Sequence, residues 1–543
     1  MLKQEYINQA PIKPAYNQEK MSVMSDQLLD DLSRDRPLPS EVYAPKVMPR
    51  VLNTFDLTMM FVGIIFVSPL VMSAISAGPA TLTYWVFCII IYLVPACVVT
   101  SQLGYLHPNE GALYNWTHKA FGGYWSFFAS FCTWIPCMLI MTSSADVAVG
   151  YIQDLNGWHL PTWAHGLAMV MILCLGAAFS VQRFRMVQHF VNLVVLLLGL
   201  GVLTIGLSGV VWLLQGHGSA TDYSQLSNWF MTFGDAGNFP VFAIVIYAML
   251  GMEAPLGMAA EIIGLNADRK KRQRIILRHL FIGTALLLIG YLIDTFGVLT
   301  VLGQKAEGNI FAFVTVADTA LGKGWGDLVA VCIILFFLAQ VVIYNYAYAR
   351  LMFSAGIDQR LPMTVARLNR HRVPANAIFV QTIVAIVFTI VIFVLVPIFM
   401  PNVTALTDIV YNVSQGAATV LWVASTGVIF INITVLYYRD RRFFLQNLIF
   451  PTWLLAVCVI VGLLATIATI FDALFFSWVV DIVSNEQWRA LVGSITAISL
   501  IIASIGSIFA SSQAEWEKLA HIVEKDSKLH PKVPCPQTPR QAR

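Results

Sequence analysis

The sequence predicts an all-α polytopic membrane protein with about twelve transmembrane helices, and three observations carry that prediction. Charged residues are only 12% of the chain and hydrophobic ones 58%, whereas a soluble domain carries about a quarter of its residues as Asp, Glu, Lys and Arg. Apolar runs of roughly 20 residues, enough to cross the hydrocarbon core as a helix, recur along the chain. Basic residues collect in alternate connections between those runs, as the positive-inside rule requires.

Taken in order, the runs cover 57–77, 81–103, 124–150, 161–181, 189–214, 240–263, 280–302, 327–349, 374–398, 405–437, 447–470 and 490–512. With the N-terminus inside, 30 of the 33 Lys and Arg residues fall in inner loops and tails. Lys305, Lys323 and Arg489 fall outside, and none lies within a run. The clearest inner connections are Asp268 to Arg278 and Gln359 to Arg372, both dense in Arg. The connection 215–239 has no Lys or Arg and carries Trp229 and Phe230, residues suited to an outer interface.

This pattern divides the chain into a cytoplasmic N-terminal tail (1–53), a transmembrane domain (54–512) and a cytoplasmic C-terminal tail (513–543), with the plasma membrane as the expected location. The first 50 residues hold seven basic and seven acidic residues and no apolar signal core, so an uncleaved N-terminus is expected. Residues 511–528 suit a short amphipathic helix, with Trp516, Leu519 and Ile522 on one side. The eight cysteines lie mostly in apolar runs, without the short repeated spacings of a zinc site or disulfide framework. They read as small core residues, and no cofactor or metal is expected. Basic runs between two crossings read as membrane anchors, so lipid and not nucleic acid is the expected macromolecular environment.

Helix breaks point to sites, because lipid offers no hydrogen bonds to an unwound backbone. The first run contains Ser68, Pro69, Leu70 and Ser73, and Pro69 frees a carbonyl near mid-membrane. The sixth contains Gly251, Glu253, Pro255 and Gly257 in its central third. Two interrupted helices five crossings apart form the pattern of an inverted-repeat transporter, in which half-helix ends and freed carbonyls receive the solute. Glu253 is the strongest candidate for proton coupling, since a mid-membrane carboxylate costs several kcal/mol unless protonated, paired or hydrated. Asp146 and Asp294, toward the outer ends of the third and seventh runs, suit a vestibule with a gating or proton-path role. Tyr344 and Asn345 in the eighth run, and Asn412, Ser414 and Gln415 in the tenth, offer hydrogen-bonding groups to a cavity. Glu261, beside the basic loop, reads as one half of an ion pair near the headgroups.

Three motifs resemble the amino acid, polyamine and organocation transporter superfamily, in order across the first ten runs. They are Leu106-His-Pro-Asn-Glu-Gly-Ala-Leu-Tyr-Asn-Trp-Thr-His-Lys-Ala-Phe-Gly122, Tyr247-Ala-Met-Leu-Gly-Met-Glu253 followed by Ala260-Glu261, and Ala349-Arg350-Leu-Met-Phe followed by Gly356 and Leu361-Pro362. The resemblance implies five plus five inverted repeats with two extra helices, and a substrate held between crossings 1, 3, 6, 8 and 10. It also implies that Tyr247 lays an aromatic ring over the substrate, where its π face attracts an ammonium. The first run, with Pro69 and the Ser-Ala-Gly at 76–78, looks most like the glutamate and γ-aminobutyrate antiporter branch. Two departures stand out. Ser68-Pro69-Leu70 replaces the family's Gly-rich first break, and the neighbourhood of the lysine that some proton-coupled members carry has only apolar residues after Asn192.

The expected function is therefore secondary active transport of an amino acid, or second a polyamine or other amine, with possible proton coupling. With Glu253 as the one securely central acid, a neutral or acidic amino acid is the first expectation. A channel or solute sensor is the rival reading, but no repeated pore motif or charged ring is visible. An intramembrane enzyme would need clustered titrating groups, and none emerges from the runs.

Overall fold

The computed structural model describes residues 37–233, 237–266, 268–399, 406–479 and 482–529; for 399, 406–408, 410–411 and 512–529 it describes the backbone alone. Among these residues the secondary structure is helical, with a single isolated bridge between Leu52 and Ile262. Ten helices are long and apolar enough to cross a membrane: span 2 (Ala80–Leu106), 3 (Gly123–Asn156), 4 (Thr162–Ser180), 5 (Phe184–Leu214), 7 (Arg269–Val301), 8 (Lys323–Ile357), 9 (Ala375–Ile398), 10 (Asn412–Arg439), 11 (Thr452–Phe475) and 12 (Asn485–Ser511). Span 1 is the bent pair Thr54–Ile65 and Leu70–Ala77, turned by 50°. Span 6 is two short pieces, Val241–Tyr247 and Ala254–Glu261, too brief to cross singly.

Local chemistry accounts for both interruptions. Helix 54–65 starts on a capping box, with Asn53 accepting from the backbone of Phe55 and Asp56 while Asp56 accepts from Asn53. It ends because Pro69 has no N–H to return to the carbonyl of Ile65, and the same proline, at φ −60°, starts the next turn. In span 6 the chain reverses its helical sense at Gly251, whose φ of 98° is open to glycine at little cost.

The second five spans repeat the first in detail. Between spans 2 and 3 lies a short helix, Ala112–Phe121, stopped by Gly122 at φ 87°, and a 34-residue helix follows. Between spans 7 and 8 lies Ala312–Leu321, stopped by Gly322 at φ 100°, and a 35-residue helix follows. The two long helices, spans 3 and 8, form the most extensive pairing in the bundle. In their most apolar windows 72% of each is buried, against 28% for span 4, 33% for span 11 and 22% for span 12. The inner spans therefore face protein, while side chains such as Leu175, Ile383, Leu464 and Ile501 are left for lipid.

Span 12 continues as one helix past residue 512 to Leu529. The side chains that make 511–528 amphipathic, and the N-terminal residues 1–36, lie outside the described residues. Seven cysteines are described, all free, and six of them are buried.

Candidate functional site

The two breaks meet at Tyr291 of span 7. The Val67 N–H donates to its hydroxyl at 3.1 Å, and that hydroxyl stands 3.1 Å from the carbonyl oxygen of Ile65 and 3.0 Å from that of Ala248. Its ring is stacked on Trp85 at 4.0 Å, and the Trp85 indole N–H donates to Thr295. The Tyr344 hydroxyl donates to the next freed carbonyl, Ile64, at 2.9 Å. Two tyrosines thus satisfy the backbone groups that unwinding released, as a membrane interior demands. Tyr344 was legible in the sequence; Tyr291, an aromatic in an apolar run, carried no signal.

Glu253 opens the second piece of span 6, is 3% exposed, and neither of its oxygens has a hydrogen-bond partner. Nearby, the Trp422 indole N–H faces the Glu253 carboxylate and the Tyr348 hydroxyl faces Cys137, both buried and neither in a well-aligned hydrogen bond. A Cβ on Gly251 would meet Ile64 Cγ2 at 2.8 Å, Tyr348 Oη at 2.9 Å and Trp422 Cζ2 at 3.1 Å, so spans 1, 8 and 10 converge on this one glycine. Tyr344 stacks on Tyr348, and Trp422 stands edge-on to both. Tyr247 donates its hydroxyl to Gln415, whose amide donates to Ser143, which ties span 6 to spans 10 and 3. Ser68 Oγ is buried and unpartnered in the first break, Pro69 caps the following turn, and Leu70 and Ser73 are half-buried. Uncompensated polar atoms at this depth are costly, which is what a site for a polar solute requires.

Several expected positions differ. Asp294 is not in a wet vestibule: it is fully buried one turn from Tyr291, with both oxygens unpartnered. Asp146 is a quarter exposed and accepts from His165 Nε2 at 2.7 Å. The tautomer follows from the neighbours. Gln153 Oε1 accepts the Leu160 N–H, so its amide nitrogen faces His165 Nδ1, and the imidazole proton lies on Nε2 toward Asp146. Asn345 turns its carbonyl oxygen to span 9, accepting from Gln381 and Thr382 as glue between helices, while its amide nitrogen is buried without a partner. Asn412 is half-buried at the start of span 10.

Glu261 makes the expected ion pair, beside the start of span 1, where its carbonyl accepts the Val51 and Leu52 N–H groups, but the pair is fully buried. Arg350 donates to Glu261 twice, at 2.7 and 3.2 Å, and stands 3.4 Å from Glu110, with all three side chains buried. Arg350 follows the apolar run 327–349 directly, toward the C-terminal end of the helix Lys323–Ile357, and is fully buried there. Glu110, on the connection after span 2, also accepts the Ala260 N–H at 2.9 Å. Burial, and then the Glu261 charge, push its carboxyl well above the ordinary range, with Arg350 opposing. Between Glu253 and Arg350 lies a cavity of about 20 Å³. A further buried acid, Asp472 of span 11, accepts the Ala243 N–H at 2.7 Å and so caps the first piece of span 6. It escaped sequence reading because it follows the run that ended at 470.

A helical bundle with broken first and sixth crossings, repeated five on five, is the fold of an inverted-repeat membrane transporter. The chain belongs to the amino acid permease family, which its residues 52–503 match. The glutamate and γ-aminobutyrate branch gains no support. Among relatives, an uncharacterised transporter of Legionella pneumophila is 24% identical over 63% of this chain and 72% of its own length. A probable agmatine/putrescine antiporter of Lactococcus lactis is 22% identical over 53% of this chain and 60% of its own. An arginine/ornithine antiporter of Pseudomonas aeruginosa is 22% identical over 65% and 72%. In architecture the chain is similar to the manganese transporter of Eremococcus coleocola, with a TM-score of 0.57 at 13% identity, covering 85% of this chain and 94% of that one.

Proposed function

We propose that the chain moves an amino acid or related amine across the plasma membrane by alternating access, coupled to a proton carried by Glu253, with both termini in the cytoplasm. One observation carries this reading: a buried carboxylate in the break of span 6, with no ion-pair partner among the described residues and only the Trp422 indole N–H as a side-chain donor facing it. A substrate ammonium or a proton neutralises that carboxylate, and exchange between the two couples the flows. The orientation rests on the basic loops 268–278 and 359–372, and the domain limits stay as 1–53, 54–512 and 513–543.

A second reading has its own support. Asp294 gives the outer side of the breaks another buried, partnerless acid, and this favours a substrate with a second cationic centre over a neutral or acidic amino acid. The names of two relatives, the agmatine/putrescine and arginine/ornithine antiporters, agree with it.

The test is uptake into proteoliposomes of each standard amino acid and of putrescine, under an imposed proton or sodium gradient. Preloaded unlabelled substrate should accelerate entry of label. Uptake without such counterflow means a pore or a sensor and ends the carrier reading.

A further inference from the structure

Among the described residues, the Arg350 cluster is a buried ionic network that the transport cycle above does not use, and its composition is unbalanced. Two carboxylates, Glu110 and Glu261, face a single guanidinium, all of them buried. Full ionisation leaves a net negative charge out of water, a costly state, so the cluster holds one proton in excess of a simple ion pair. Glu261 takes both short bonds from Arg350 and is the ionised partner. Glu110 is the one placed to hold the proton, because its Oε2 takes a backbone N–H while its Oε1 has only a long 3.4 Å contact with Arg350 Nε and no hydrogen bond.

The same arginine borders the site. The cavity between Glu253 and Arg350 is also lined by Ala112, Leu113, Thr133 and Tyr348, and its roughly 20 Å³ accommodates about one water. Its wall at Ala112 is two residues from Glu110, and the Gly111 N–H bonds the Gly257 carbonyl across the same wall. The charged groups that act on Glu110 are Glu261 and Arg350. Tyr346 of span 8 faces those two, and Asp56 of span 1 faces Tyr346; His107, His118 and Lys119 share the connection that carries Glu110.

We infer that the coupling proton passes between Glu253 and the basic face through the Arg350 cluster, with Glu110 as its carrier. This rests on proton coupling at Glu253. In the step, the O–H bond of Glu253 breaks as one forms on the intervening water. Glu110, which lies behind the wall closed by the Gly111–Gly257 hydrogen bond, first releases its proton to water at the basic face; when that wall opens, the cavity water passes a proton of its own to the emptied carboxylate, and no electrons are exchanged. Arg350 keeps its protons throughout and sets the field that keeps Glu261 ionised while Glu110 titrates.

The experiment compares the full-length wild type with Glu110→Gln, Glu110→Asp and Glu253→Gln in proteoliposomes holding a pH indicator, with labelled leucine, glutamate, arginine and putrescine as probes. Glu110→Gln keeps an acceptor for the Ala260 N–H but carries no proton. It should lower the ratio of proton-driven accumulation to counterflow by about tenfold or more and flatten the dependence on basic-face pH, while Glu110→Asp restores part of both. An unchanged ratio and pH profile in Glu110→Gln, with coupling lost in Glu253→Gln, overturns the route and leaves the coupling reading intact. Equal loss of accumulation and counterflow in Glu110→Gln, unrelieved in Glu110→Asp, makes the cluster a structural cross-link and also overturns it. A wild type that moves no proton with any probe overturns both readings.

Discussion

The Tyr291 hydroxyl lies 3.0 Å from the Ala248 carbonyl oxygen while accepting the Val67 N–H, so one phenol group from span 7 reaches both broken helices. Because the breaks share this partner, movement of either piece at its outer end disturbs the other. Removing the hydroxyl by Tyr291→Phe keeps the stack on Trp85 but strands a buried N–H and a carbonyl, each worth about 1–3 kcal/mol. The expected outcome is a lower unfolding temperature in detergent together with a large fall in uptake. Wild-type stability with wild-type uptake would show that the bridge has no part in holding the site.

Gly251 gives a sharper steric test. Alanine there is strained at φ 98° and meets Ile64, Tyr348 and Trp422 at 2.8–3.1 Å, so Gly251→Ala should hold the four spans apart and abolish uptake. Gly199→Ala, on span 5 with open space around the added Cβ, is the matched control and should transport normally. Both are read as uptake per inserted protein.

How much of this was legible in the sequence differs between backbone and side chains. The spans and breaks were, because apolar length and Pro or Gly interruptions act locally: Pro69 and Gly251 mark the breaks wherever the rest of the chain lies. Partners across helices were not. Nothing in the run around Tyr291 signals a bond to Val67, and Asn345, equally polar on paper, turned out to face span 9 because the helix rotates it away from Tyr344. Asp294 read as a vestibule acid, and Glu261 as half of an ion pair at the headgroups, yet both are fully buried, because sequence distance to a loop does not report burial. Arg350 and Glu110 were both inside recognised motifs, yet 240 residues of chain separate them.

On the basic face, Asp358 accepts the N–H and the hydroxyl of Ser40, each at 2.8 Å, and so pins the helix Pro39–Val47 that leads into span 1. Burial pushes its carboxyl up to about 6, with the Ser40 bonds opposing. The folded-state value lies above the ordinary 3.8, so the stability linked to this proton is fully present below about 4, falls as pH rises toward 6, and is level beyond. Thermal unfolding between pH 4 and 7 should show that decline in the wild type and a flatter profile in Asp358→Asn. Parallel profiles would assign the pH dependence to another group.

Glu253→Gln replaces the carboxylate with a group that neither releases a proton nor forms an ion pair with an ammonium, in a setting with no basic partner for either oxygen among the described residues. Accumulation driven by a proton gradient should be lost, and whatever uptake persists should lose its pH dependence. Uptake is measured at a series of outer pH values; a profile superimposable on the wild type removes Glu253 from coupling.

Asp294 separates the two substrate readings. It lies three residues beyond Tyr291 on span 7, about 4.5 Å further toward the outer face along the helix axis, whereas Glu253 begins the piece of span 6 on the other side of the break. An elongated dication placed between them satisfies both acids, and a neutral amino acid, with one ammonium, satisfies one. Asp294→Asn should then depress uptake of putrescine or arginine by at least about tenfold relative to leucine, since an unpaired buried charge on the substrate costs more than 1.4 kcal/mol. Competition of labelled against unlabelled substrates measures that ratio directly. Equal effects on all three would leave Asp294 a structural acid and return the preference to a substrate with one positive centre.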